Sequence, residues 1–297
     1  MACCSADDRG SREVADHLDP LSEKRCFTSL SKIHPTIHMT PLIQVKGLES
    51  DGIMLMSCTD SAFDAAVKSW FAGNVAELLA LKPLLVCLSN QSGRTMVAYT
   101  LRWEIMRNGQ REITFSQAKY PDAVAAAVPV RGNEVRAGER IICGMSIELD
   151  SGQWTGQATE EFYLRQFAAW SREYDNAASL SISLDAVIFE DGELIGPDES
   201  RLRDDFAAYV SAKQDLYHSL VNGLDSGRSM AEVFHPVEEE MRTYPYDRLR
   251  RDPLALYQRL AIEHVSTWRQ KHEDGTLSNA LRAAIRKEPF VIRRRME

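Results

Sequence analysis

Residues 84–105 read LLVCLSNQSGRTMVAYTLRWEI, and this stretch decides the fold class of the chain. Its first five residues form a continuous apolar run, which is typical of a strand covered on both faces. Residues 90–93, Asn-Gln-Ser-Gly, then interrupt the run with residue types that favour turns.

From residue 97 the sequence alternates between apolar and polar side chains. A side-chain period of two separates a core face from a water face. The core face carries Val97, Tyr99, Leu101, Trp103 and Ile105, and the water face carries Ala98, Thr100, Arg102 and Glu104. The whole stretch therefore predicts a long β-hairpin with Trp103 buried between two sheets.

Further strands are predicted on both sides of this hairpin. The strand-like runs are residues 42–46, 53–56, 112–115, 124–130, 140–149 and 180–188, with an Asn-Gly hairpin turn at 107–110. In 140–149 the core face carries Ile141, Cys143, Met145, Ile147 and Leu149. In 180–188 the inward residues are Leu180, Ile182, Leu184, Ala186 and Ile188, and the outward ones are Ser181, Ser183 and Asp185.

Six or seven short strands with turns between them resemble the pattern of immunoglobulin and fibronectin domains over residues 42–195. The predicted fold class is therefore α+β, an antiparallel immunoglobulin- or fibronectin-like β-sandwich followed by a carboxyl-terminal set of helices. Cys87, Trp103 and Cys143 follow the cysteine–tryptophan–cysteine order of immunoglobulin domains. However, Ile141 stands where those domains place a corner tyrosine, so we expect reduced, buried thiols.

Helical periodicity begins after residues 196–198, Gly-Pro-Asp. Asp198 is predicted as the N-cap of a long helix that ends at Asn222-Gly223. A second helix is predicted over 230–241, broken at Pro236, and a third begins at Asp252-Pro253 and ends near Gly275. Residues 277–286 are predicted as a last short helix.

The sequence predicts three parts. Residues 1–40 are a disordered amino-terminal arm, residues 41–195 the β-sandwich domain, and residues 196–297 a helical region packed on the sandwich. Short helical insertions are predicted within the sandwich, at 59–73, with Trp70 on its apolar stripe, and within 152–176.

Composition and charge exclude several classes of function. The net charge is -8, with the acidic excess in residues 1–198, which argues against general affinity for nucleic acid or anionic lipid. No stretch approaches the roughly 20 apolar residues of a membrane span. The first 20 residues lack the apolar segment of a secretory signal, and Cys3 and Cys4 are interpreted as exposed thiols. We predict a cytoplasmic protein whose partner is unknown, with another protein as the candidate.

Residues 190–193, Glu-Asp-Gly-Glu, form with Asp198 the densest acidic cluster. Carboxylate oxygens could hold Ca²⁺, but the spacing matches no EF-hand loop. Asp191-Gly192 is also a natural hairpin turn, and that structural interpretation is favoured.

The other polar residues are assigned ordinary structural roles. His34 and His38 are separated by Pro35 and lack further zinc ligands; His218 and His264 lie on helices, and Ser92 lies in a turn. Residues 238–240 and 248–251 are charge runs typical of solvated faces. No catalytic residue, metal site or cofactor is predicted.

Strictly spaced catalytic motifs are absent from the sequence, including the P-loop, GxGxxG, HExxH and G-x-S-x-G. The leading hypothesis is therefore a non-catalytic binding or structural module. The alternative is an enzyme, such as a hydrolase, with a site at the junction of sandwich and helices. A third hypothesis is weak nucleic-acid binding by the arginine-rich segment 290–295.

Overall fold

Strands precede helices in this α+β chain, apart from one short strand near the carboxyl terminus. The computed structural model describes residues 42–58, 85–120, 134–144, 148–149, 174, 177–243, 253–271 and 273–295. Two sheets and four helices lie within these ranges.

The larger sheet is built around two long antiparallel strands, β4 and β8. Its strands are β1 (Leu42–Lys46), β4 (Met96–Arg107), β5 (Gln110–Lys119), β8 (Ala177–Phe189), β9 (Glu193–Ile195) and β10 (Arg293–Arg294), in the order β10-β9-β8-β4-β5. β1 pairs in parallel with the first half of β8, and β9 pairs antiparallel with its second half. One edge of β8 is therefore shared by two strands that are far apart in sequence. The larger sheet is mixed and not purely antiparallel as predicted, because β1 and β10 each pair in parallel with a neighbour.

The smaller sheet is antiparallel. It contains β2 (Ile53–Ser57), β3 (Val86–Asn90), β6 (Arg140–Cys143) and β7 (Glu148–Leu149), in the order β2-β3-β6-β7. The predicted single strand at 140–149 is wrong, because β6 and β7 pair antiparallel with each other and the chain reverses between them.

The predicted hairpin at 84–105 is also wrong. β3 pairs with β2 and β6, whereas β4 pairs with β5 and β8, so the two halves of the stretch lie in different sheets. The buried side chain of Asn90 stabilises the segment in which the chain passes from the smaller sheet to the larger one. Its Nδ2 donates to the carbonyls of Arg94 at 2.6 Å and Val135 at 2.8 Å. Its Oδ1 accepts bonds from the amide and hydroxyl of Ser92. These bonds stabilise a corner instead of a hairpin turn.

Trp103 is fully buried, as the alternation predicted. Its cluster combines side chains of both sheets, including Leu55 and Leu88 from the smaller sheet and Leu101 and Ile182 from the larger. The indole Nε1 donates to Ser116 Oγ at 2.7 Å. The predicted Asn-Gly turn is confirmed, since Arg107 pairs with Gln110 across residues of positive φ.

The pairing of β4 with β8 contains three register shifts, and two of them explain why some side chains face a different core from the one predicted. One lies between Met96 and Ala98 of β4, and the other lies in β8 between Leu184 and Ala186, where Asp185 is the extra residue. Val97, Ala186 and Ile188 consequently face a second core on the opposite side of the sheet, contrary to prediction. Ala98, Thr100 and Asp185 were predicted to face water but are buried, because this side of the sheet is also covered.

Helix α1 (Leu202–Asp225) provides that cover. Leu202, Phe206 and Val210 pack on the larger sheet, while Tyr217, Leu220 and Val221 enter a separate helical core. The helical core also contains α2 (Met230–Thr243), α3 (Pro253–Lys271) and α4 (Asp274–Ala284). One helix thus takes part in two hydrophobic cores.

Several helix boundaries differ from prediction. α1 continues past Gly223 to Asp225, and α2 runs through Pro236 without a break. Gly275 lies in the first turn of α4 instead of ending α3. α3 begins at Pro253, as predicted.

Cys87 and Cys143 lie on neighbouring strands and are not joined by a disulfide. Cys143 pairs in register with Val86, so Cys87 points to the opposite face of the sheet. The Cys143 sulfur lies 3.2 Å from the Tyr99 hydroxyl, and burial raises the pKa of Cys87.

Several predicted features lie outside the described residues. They are the arm 1–40 with Cys3, Cys4, His34 and His38, the helix at 59–73 with Trp70, the strand at 124–130, most of 152–176, and the charge run 248–251.

Within the described ranges, no helix has the length and apolar character needed to cross a membrane.

Replacing Trp103 by alanine is expected to lower the free energy of unfolding by about 3–5 kcal/mol, because it empties a large aromatic site in the core between the sheets. Urea unfolding followed by fluorescence and circular dichroism measures this loss. Ile113→Ala is the control, since Ile113 is 44% exposed on β5 and should change stability by less than about 0.5 kcal/mol. A Trp103→Ala loss below about 1 kcal/mol would contradict this packing.

Candidate functional site

A cleft of about 520 Å³ lies at the edge of the larger sheet that β9 and β10 form. Its lining comes from the connection between β1 and β2, from β9 and from the carboxyl-terminal end of the chain. The lining residues are Ser50, Asp51, Leu194, Ile195, Gly196, Arg294 and Arg295. Three segments distant in sequence therefore meet at one cleft.

The hairpin between β8 and β9 leads into the cleft, which Leu194 and Ile195 of β9 line. Asp191-Gly192 makes the turn that the sequence favoured, with Gly192 at φ 85° and its amide donating to the Phe189 carbonyl at 2.9 Å. Asp191 Oδ1 accepts the backbone N–H of Glu193 at 3.0 Å. The acidic residues of this hairpin are thus held in place by local backbone bonds.

Arg94, which follows the Asn90 corner, binds the acidic hairpin. Its guanidinium pairs with Glu193 and with Asp191, the latter at 3.3 Å, and lies 3.7 Å from the centre of the Phe189 ring. Burial lowers the pKa of Arg94, but the bonds and charges of Glu193 and Asp191 outweigh burial and raise it. The corner and the hairpin are joined by a partly buried charge pair.

Residues 290–295, here called the strap, pair with β9 and contribute Arg294 and Arg295 to the lining of the cleft. The strap amides of Arg293 and Arg295 donate to the carbonyls of Gly192 at 2.8 Å and Leu194 at 3.1 Å. This is the parallel pairing of β10 with β9. Ile292 is buried in the core beneath α1.

The strap arginines pair with carboxylates and donate hydrogen bonds to backbone carbonyls near the cleft. Arg295 pairs with Asp51 and lies 3.6 Å from a Glu193 oxygen, while Arg294 donates to the carbonyls of Gly196 and Pro197. The structure therefore brings together the acidic cluster and the arginine-rich segment that the sequence singled out separately. Among the described residues, no group of three or more His, Cys, Asp and Glu side chains is arranged to hold a metal.

Asp185 binds the segment that follows β9 and contacts Gly196, a residue that lines the cleft. The sequence analysis missed this role. The Asp185 carboxylate is buried and accepts the amides of Glu199 and Ser200, both at 3.0 Å. The Asp185 carbonyl lies against Gly196, leaving no room for a side chain there. The sequence feature that could have indicated this role is a single aspartate within the otherwise apolar run 184–189, shortly before Gly-Pro-Asp at 196–198.

Asp198 acts near the start of α1, but not as its N-cap. The helix begins at Leu202, so Arg201 occupies the cap position. The Asp198 carboxylate accepts the Arg203 amide at 3.4 Å, and burial raises its pKa despite that bond. Asp198 therefore satisfies a first-turn donor from outside the helix.

A second polar group, here called the junction cluster, lies between the larger sheet and the helices. Lys119 of β5 lies 3.2 Å from an Asp205 oxygen of α1 and 3.4 Å from the Tyr257 hydroxyl of α3. Tyr209 stacks on Tyr257 with ring centres 5.7 Å apart. Burial, with the neighbouring carboxylate of Asp205, raises the pKa of Tyr257, so its phenol stays protonated at neutral pH.

The other polar residues considered in the sequence analysis lie outside the cleft and the junction cluster, and most of them contact neighbouring side chains. His264 is half-buried edge-on to Trp268, with ring centres 4.6 Å apart. His218 is exposed on α1, and Ser92 binds Asn90. Glu238, from the predicted charge run, pairs with Arg269 at 2.7 Å.

Comparison of the chain with models of protein families, with curated proteins and with solved structures found no match.

The Arg94–Glu193 pair is expected to couple by about 1 kcal/mol in a double-mutant cycle, because both groups are partly buried and hydrogen-bonded. The cycle compares unfolding of Arg94→Ala, Glu193→Ala and the double variant, and the coupling should fall as salt rises. The control pair is Arg201–Asp204, whose side chains are 78% and 61% exposed and should couple by less than about 0.5 kcal/mol. Equal coupling in both pairs would contradict the assigned role of Arg94.

Proposed function

We propose that this chain is a non-catalytic binding module whose cleft receives a segment of another protein. The supporting observation is a charge network that joins the cleft to segments distant in sequence. Asp51, Arg294 and Arg295 line the cleft, and Arg295 lies beside Glu193. Glu193 and Asp191 in turn pair with Arg94. A site of alternating charge suits a peptide with polar and charged side chains better than a polyanion.

The cleft chemistry supports binding more than turnover. The hydroxyl that lines it, on Ser50, donates to Asp51 Oδ2 at 3.2 Å, and no histidine is among the described lining residues. Activation of a serine nucleophile normally needs an adjacent base, so the geometry favours recognition. The strap arginines are occupied by carboxylates and carbonyls, which disfavours nucleic acid as the ligand.

The proposal includes the architecture in which the site is set. We propose that residues 41–195 form an immunoglobulin- or fibronectin-like sandwich and that residues 196–297 form a helical region packed on it, with β10 joining the larger sheet. The shared core of the two sheets and the contact of α1 with the larger sheet support this division. We further propose a cytoplasmic location, which the reduced state of Cys87 and Cys143 supports.

Asp51→Arg is expected to reduce capture of the physiological partner by at least tenfold, because it reverses the charge of a residue that lines the cleft. Tagged chains are used to capture proteins from the native cell extract, and quantitative mass spectrometry compares the variants. The matched control is Glu263→Arg, which reverses one member of an exposed ion pair with Arg259 on α3. A set of captured proteins that is the same for Asp51→Arg and wild type would contradict the cleft as the binding site.

The alternative is an enzyme of hydrolase type at the junction of sheet and helices, and the junction cluster is the observation that favours it. Lys119, Asp205 and Tyr257 could exchange protons with a bound substrate. This alternative predicts turnover of a model ester, phosphate or peptide that falls at least about 100-fold in Lys119→Met. The binding role predicts no turnover in either protein.

A further inference from the structure

The strap occupies its position as a bound peptide would. Its backbone adds to the edge of β9, Phe290 and Ile292 pack in the core beneath α1, and its last arginine pairs with Asp51 and lies near Glu193. Resting on the proposed function, we infer that the surface under the strap is a docking groove for an extended peptide of another protein, and that the strap is its internal competitor. The groove is defined by Gly192, Glu193 and Leu194 with Phe206 of α1.

The strap contacts specify the peptide that fits. Phe290 packs edge-on to Phe206 with ring centres 5.8 Å apart, and Ile292 is buried in the same core. Val291, by contrast, is 56% exposed. Arg295 follows three residues after Ile292 and meets Asp51 and Glu193. The partner segment is therefore an extended strand with two alternate large apolar residues and a basic residue three positions later.

The backbone of the docked segment passes directly over Gly192. A Cβ atom at residue 192 would collide with the Val291 carbonyl, and Phe290 is the next neighbour. Gly192 is thus required for close approach of any strand in this groove, in addition to its turn conformation. Gly227 has nearly the same φ, 87° against 85°, but nothing lies within 4 Å of a Cβ atom built there. Gly227→Ala therefore matches the backbone strain of Gly192→Ala without blocking a groove.

The strap has little backbone pairing and little buried surface. Its pairing with β9 covers two residues, and Ile292 is its one buried side chain. The preceding segment begins at Arg286, whose amide donates to Gln214 Oε1 at 2.9 Å. It then passes over a cavity of about 460 Å³ beside α1. Residues 287–295 can therefore leave without unpacking α4, and an external peptide must compete with a tethered strap of effective concentration on the order of millimolar.

The test measures binding of a fluorescent peptide, EPFVIRRR, which reproduces residues 288–295, to the full chain by anisotropy. Wild type is expected to bind weakly, because the strap competes. Ile292→Ala and, separately, Arg295→Ala loosen the strap and should each bind the peptide at least tenfold more tightly. Two strap variants are used because Ile292→Ala also touches the core, whereas Arg295→Ala does not.

Specificity is tested in the Arg295→Ala background. Adding Gly192→Ala should remove peptide binding, while adding Gly227→Ala should leave it unchanged; circular dichroism confirms that both proteins are folded. A peptide whose isoleucine is replaced by aspartate should not bind. Equal peptide affinity for wild type and both strap variants, or equal effects of the two glycine changes, would overturn the inference.

The peptide experiment and the partner-capture experiment distinguish failure of this inference from failure of the proposed function. If the peptide does not bind but Asp51→Arg still loses the captured partner, the cleft binds proteins and the ligand class is wrong. If the peptide binds as expected but partner capture is indifferent to Asp51→Arg, the groove is confirmed and the proposed function fails.

Discussion

The buried carboxylate of Asp185 is the interaction on which the arrangement of this chain depends. As the extra residue of a bulge it shifts the alternation of β8, so that Leu184 and Ala186 face different cores. Its oxygens accept the amides of Glu199 and Ser200 just before α1 begins. A buried carboxylate is tolerated because backbone donors replace water. One residue thus sets both the burial of the sheet and the starting point of the helix that covers it.

The position of α1 in turn determines where the other helices pack. Its first turns cover the larger sheet, and its later turns form the helical core with Trp268, Leu277 and Leu281. At the boundary between these parts, Gln214 accepts the Arg286 amide and donates to the Ala284 carbonyl at 3.0 Å. These two bonds satisfy groups at the end of α4 and direct the chain back toward the sheet. The strap consequently reaches β9 from the helical side.

Charge at the cleft is balanced within the chain. The acidic hairpin, which by itself resembles a cation site, meets Arg94 and Arg295, and the arginine-rich end, which by itself resembles a polyanion site, meets Asp51 and Glu193. Each set screens the other, so neither bulk cations nor nucleic acid would find an unopposed charge. In the proposed binding role, recognition at such a site depends on the order of apolar and charged side chains and on backbone pairing, so the strap indicates what kind of peptide would fit.

Local chemistry made part of this structure predictable from the sequence. The alternation around Trp103, the Asn-Gly turn, the Asp191-Gly192 hairpin and the apolar stripe of α1 depend on neighbouring residues, and each was predicted. The separation of β3 and β4 into two sheets, the bulges at Val97 and Asp185 and the docking of the strap were decided by the tertiary structure. Strand pairing joins residues far apart in the chain, and a bulge appears only when two strands are aligned. The cleft belongs to this second group, because its acidic and basic residues come together only after the sheet edge, α1 and the carboxyl-terminal segment have packed.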